Sequence, residues 1–222
     1  MVVHTGEKGS KSCMWRMVSD SSATTWFARQ TGANGLKWKY PIRVNGEIKE
    51  NCLSRDLQKE LWPDLRVDFS WWPPRGKKPQ WDAIGTTEDG FVVLVEAKAH
   101  PSEVESGSCK AIPISRAKIE ESMRLVQQEH YPLCVDFDNI WMCKYYQAAN
   151  RLTFFEKLSE QPVKIKLVFL SFYNDDTHKN TTLVDFRNHN NNAFESIMGT
   201  TKFPDNIYSL YFDATKLQNE CF

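Results

Sequence analysis

Residues 91–98 read FVVLVEAK, an unbroken apolar run that ends in a glutamate and a lysine separated by one alanine. Such a run has the length and apolar character of a β-strand. Side chains alternate across a strand, so Val92, Leu94, Glu96 and Lys98 share one face and Phe91, Val93, Val95 and Ala97 the other. Two charges at the end of so apolar a strand need a reason, because an internal charge costs several kcal/mol unless it is paired or holds a metal.

The preceding turn supplies a partner. QWDAIG and FVVLVEAKA flank TTEDG, and Glu88-Asp89-Gly90 fits a three-residue hairpin loop with glycine in the left-handed position. In that register Thr87 faces Phe91, and counting outward sets Asp82 opposite Glu96. Directly opposed residues have Cβ atoms ~4.5–5.5 Å apart and point to the same face. Carboxylates that close repel each other unless a cation lies between them. A two-residue Asp89-Gly90 turn would shift the pairing by one. Glu88 is a further carboxylate, but it lies in the turn.

The rest of the chain reads as a mixed α/β core. An amphipathic helix spans 51–62, with Leu53, Leu57 and Leu61 on one stripe and Pro63 as its stop. WWPPRGKKP (71–79) is a loop, 115–130 a second helix and 139–160 a longer third one. Strands are expected at 163–173, 182–186 and 207–213, with a short helix near 193–198. Residues 1–12 are polar and are expected to be a loose tail, with 13–222 forming a single domain.

Composition narrows the classes. The 222 residues are 41% hydrophobic and 25% charged, which is globular. Lys and Arg number 28 and so do Asp and Glu, so the chain is no bulk-charge nucleic-acid binder. A nuclease is not excluded, since an acidic metal site offsets a basic groove. The six cysteines form no CxxC pair, and dispersed buried thiols are expected rather than a cluster drawing on Cys134 and Cys143. The first residues contain no apolar signal-peptide segment and no run is long enough for a membrane helix, so a cytoplasmic protein without membrane contact is expected.

An Asp followed by Glu-x-Lys on the next strand, here Asp82 and Glu96-Ala97-Lys98, resembles the PD-(D/E)XK nuclease superfamily of restriction-endonuclease-like enzymes. The resemblance spans roughly residues 50–170 and implies a restriction-endonuclease-like core, a central mixed β-sheet flanked by helices. One departure is Trp81 where the motif has Pro. The resemblance also implies an upstream acid, for which Glu60 is the candidate, and a helical element to which Gln147-x-x-x-Arg151 is similar.

The implied activity is metal-dependent hydrolysis of phosphodiester bonds, with DNA the expected substrate. Asp82, Glu96, the Ala97 carbonyl and Glu60 are then expected to hold Mg²⁺ or Mn²⁺, with Lys98 and Gln147 as further catalytic groups. Arg75, Lys77, Lys78 and Arg151 are expected to contact the nucleic-acid backbone. A homodimer is compatible with this, since double-strand cutters often pair two sites. Two other readings stay open. One is a catalytically inactive nuclease-fold protein that binds nucleic acid or a protein partner; the other is an α/β interaction protein with a structural ion pair at its strand end.

Overall fold

The structure, a computed structural model, describes residues 8–74, 78–177 and 179–217. Five strands form one mixed sheet: β1 (Lys37–Tyr40), β4 (Ala83–Thr86), β5 (Phe91–Lys98), β6 (Lys164–Tyr173) and β7 (Ile207–Asp213), in the order β1-β4-β5-β6-β7. The β1–β4 and β4–β5 pairs are antiparallel, and the β5–β6 and β6–β7 pairs are parallel. A separate ribbon pairs β2 (Ile42–Val44) with β3 (Glu47–Lys49).

β5 is central, and its alternation separates two apolar layers. Val93, Val95 and Ala97 pack with Met14 and Met17 of α1 (Ser10–Ser19) and Phe27 of α2 (Ser21–Thr31). Val92 and Leu94 belong to the opposite layer. It holds Leu57 and Leu61 of α3 (Arg55–Leu61), Met123 and Val126 of α4 (Pro113–His130), Leu152 and Phe154 of α6 (Tyr146–Ser159), and Phe194 and Ile197 of α7 (Leu183–Met198). A short turn, α5 (Phe137–Asn139), precedes a π-helical stretch over Ile140–Lys144. Burial on both faces explains why β5 reads as a continuous apolar run.

Several boundaries differ from the sequence expectation. α3 begins at Arg55, not 51, because Ser54 caps it and Leu53 sits at φ +53°, outside helical space. The 139–160 segment is interrupted: the π stretch ends at Tyr145, and a regular helix resumes at Tyr146. The expected strand at 182–186 is instead the first turn of α7. Thr182 accepts a hydrogen bond from the Asp185 amide and starts a helix that runs through the expected short one. Residues 10–12 of the expected tail already belong to α1, and residues 1–7 lie outside the described residues. No helix among the described residues is long and apolar enough to cross a membrane.

Candidate functional site

The hairpin closes as its turn chemistry dictates. Thr87 N donates to Phe91 O at 3.0 Å, Gly90 N donates to Thr87 O at 3.1 Å, and Gly90 adopts φ +83°. Ala83 then faces Val95 and Ile84 faces Leu94, the register that counting out from the turn requires. The ladder ends there. Asp82 N bonds Val95 O at 3.1 Å, and Asp82 Oδ2 accepts from the Ala97 amide at 2.7 Å. Asp82 therefore folds over the end of β5 instead of standing in a regular pair with Glu96. A strand residue sends its N–H and C=O to the same edge, so the Ala97 carbonyl also leaves on the Asp82 side.

Glu96 is 4% exposed and is held from two sides. Its Oε1 accepts from Lys98 Nζ at 2.5 Å, and its Oε2 from Arg151 Nε at 2.6 Å. Burial opposes its charge, but Arg151 and Lys98 outweigh burial and hold Glu96 below the usual carboxylate range. Lys98 is the mirror case: burial would lower it, yet Glu96 and Asp82 keep it above its ordinary value. Asp82 goes the other way. Burial first, and then the negative charge of Glu96, push its carboxyl up to about 8.

Gln147, in the first turn of α6, accepts from Lys98 Nζ at 2.8 Å, so it aims the ammonium. Arg151, one turn further on, is buried and bound largely to the protein itself. Besides Glu96 it donates to Gln80 O at 2.6 Å and to Asn150 Oδ1 at 3.3 Å, and its guanidinium lies 4.7 Å from the centre of the Trp81 ring. Three of the five guanidinium N–H donors are committed in this way, and Arg151 still lines the cleft.

Asp82, Glu96, Lys98 and Gln147 open onto one cleft of about 350 Å³, with Glu50, Trp72 and Lys78 on its walls. Glu60 does not line it. Glu60 projects outward and pairs with Lys39 at 2.6 Å, its side chain 54% exposed. The cleft wall instead carries Glu50, which sequence reasoning misses. Glu50 reaches the cleft because Asn51 bridges to Trp81, whose amide donates to Asn51 O at 2.9 Å. That contact joins residues thirty apart and leaves no local sequence signal. Burial raises Glu50 above its usual range. Arg75 and Lys77 lie outside the described residues; Lys78 sits at the cleft wall, with Nζ 4.9 Å from the centre of the Phe69 ring.

Compared with family models, curated proteins and solved structures, the chain matches none. The site is read from its own chemistry.

Three carboxylates, Asp82, Glu96 and Glu50, line the cleft with Lys98, Arg151 and Lys78; Lys98 and Arg151 are both spent on Glu96, so Asp82 and Glu50 have no ion-pair partner among the described residues. Asp82 Oδ1 takes part in no hydrogen bond among the described residues. The residues therefore fit a hard divalent cation, which takes oxygen ligands and keeps several waters. They fit it as a two-carboxylate site with one carbonyl, because the three acids do not gather within 4.8 Å of one another. Among the described residues such a trio exists at Glu129, His130 and Glu160 on the surface. There His130 Nδ1 already faces Glu156 at 3.4 Å, and Glu160 holds Lys157 at 2.6 Å.

Proposed function

We propose that this chain is a metal-dependent nuclease that hydrolyses phosphodiester bonds, with DNA as the expected substrate. One observation carries the reading: Asp82 and Glu96, mutually repelling carboxylates at the end of a buried strand, open onto a solvent cleft with the Lys98 ammonium 2.5 Å from Glu96. A structural ion pair needs one carboxylate for Lys98, and the second would be a cost without return.

Asp82, Glu96 and the Ala97 carbonyl would hold Mg²⁺ or Mn²⁺, which when bound lowers the pKa of a coordinated water and polarises a phosphate oxygen. Lys98 meets the negative charge that develops on the scissile phosphate, and its bond to Gln147 fixes it before the substrate arrives. Arg151 supports this indirectly by keeping Glu96 ionised and oriented. Lys78 adds a cation at the rim.

Incubation of plasmid, single-stranded DNA and RNA with Mg²⁺ or Mn²⁺ tests the reading. The wild type cleaves at least one of them, and Lys98→Ala and Asp82→Asn each lose roughly 100-fold or more, the scale seen when one preorganised charge-stabilising group is removed. Equal cleavage by all three proteins would assign the activity to a contaminant.

A second reading, a catalytically silent protein of the same architecture that binds nucleic acid or a protein partner, is favoured by one observation: both Glu96 oxygens are already in ion pairs. Binding of DNA without cleavage in either cation would select it.

A further inference from the structure

Beside the acidic cleft lies a second, larger recess of about 990 Å³, and Lys78 and Gln80 line both. Its wall carries Arg55, Arg66 and the ring of Phe69. Both arginines are exposed, and neither makes a hydrogen bond or ion pair among the described residues. The acid on this wall, Asp68, is turned onto Ser70, whose amide and hydroxyl it accepts from at 2.8 Å each. Phe69 is covered by Trp71, stacked at 5.9 Å, and by Lys78, whose Nζ lies 4.9 Å from the ring centre. Exposed arginines along a recess that shares Lys78 with the cleft are the elements of an electrostatic track for the phosphates of a single strand.

The cleft itself limits what can enter. Glu96 is 4% exposed and the Lys98 side chain 16%, so a phosphate reaches them only by descending into the recess. A volume of about 350 Å³ is at the lower end of the ~300–1,000 Å³ typical of small-ligand pockets, enough for about one nucleotide and not for a stiff double helix.

We propose that the substrate is a single-stranded nucleic acid, or a single-stranded end or flap. It is carried across the second recess on Arg55 and Arg66, so that the next phosphate drops past Lys78 to Asp82, Glu96 and Lys98. This rests on the nuclease reading for its product but not for its binding step, and the experiment separates the two. Fluorescence anisotropy with labelled single-stranded DNA, single-stranded RNA and a blunt DNA duplex is measured in EDTA, for the wild type, Arg55→Ser/Arg66→Ser and a remote control, Lys216→Ser. The same three ligands are then assayed for cleavage in Mn²⁺.

At least one single strand is expected to bind tighter than the duplex. The double variant is expected to lose roughly tenfold in that affinity, and its salt slope to flatten by ~1.4, two phosphate contacts at ~0.7 each for single strands. The control binds as the wild type does, and the DNA and RNA arms identify the sugar. Duplex binding as tight as the single strand's, or an unchanged affinity in the double variant, overturns the track whether or not cleavage occurs. Tight single-strand binding without cleavage in Mn²⁺ keeps the track and overturns the nuclease.

Discussion

Arg151 and Asp82 carry formal charge into the same cleft and end with opposite roles. Arg151 spends three donors on Glu96, Gln80 and Asn150, and its charge favours the ionised form of Glu96. Asp82 keeps a proton that an exposed aspartate would lose, because burial and Glu96 both favour its neutral form. Its pKa rises from 3.8 unfolded to about 8 folded, so the native state binds the extra proton between those values. Stability from this group is fully present below pH 3.8 and is lost as pH rises through about 8. Glu96 is lowered and Lys98 raised from their ordinary values, so neither titrates between about pH 5 and about pH 8 to offset the loss. Thermal unfolding of the metal-free protein should therefore move to lower temperature from about pH 5 to about pH 8, a trend that follows from proton linkage. In Asp82→Asn, which cannot titrate, that slope should flatten. Parallel curves for the two proteins would show that Asp82 is not the buried proton holder.

At the scale of elements, the β4–β5 hairpin places the chemistry, and Gly90 is its hinge point. Gly90 sits at φ +83°, and no atom lies within 4 Å of the position a Cβ would take there, so Gly90→Ala meets only a backbone penalty. That penalty is ~1–2 kcal/mol for a left-handed non-glycine residue. It should appear in chemical denaturation together with a fall in cleavage, because the turn sets which residues meet across the strands; undiminished stability would mean that the loop relaxes into another turn.

The hairpin is legible in the sequence because everything that sets its register lies within a few residues of the turn. The end of α7 nearest Thr182 misleads for the opposite reason. TLVDF has strand-like composition, and only the Thr182–Asp185 cap shows that a helix begins there. Glu60 misleads because it adjoins the leucine stripe without belonging to it: Leu57 and Leu61 are buried, whereas Glu60 turns out to Lys39. Glu50 is invisible because a bridge between distant residues brings it in. Helices α1 and α2 do carry short buried stripes, Cys13, Met14 and Met17 on one and Ala23, Phe27 and Thr31 on the other, and Asp20 caps α2 by accepting from the Ser22 and Ala23 amides.

For the whole molecule, zero net charge conceals a local division. The sheet's carboxylates collect at the C-terminal end of β5, and unpaired arginines collect in the neighbouring recess. Two apolar layers hold β5 rigid from both faces, so the carboxylates meet at a fixed place instead of on a mobile loop. A cation seated there would balance the charge that Asp82 now balances with a proton. The most direct measurement is anomalous scattering from crystals soaked in millimolar Mn²⁺. A peak in contact with Asp82 and Glu96 beside Lys98 is the predicted result. A peak confined to Glu129, His130 and Glu160, or none at all, would contradict the account.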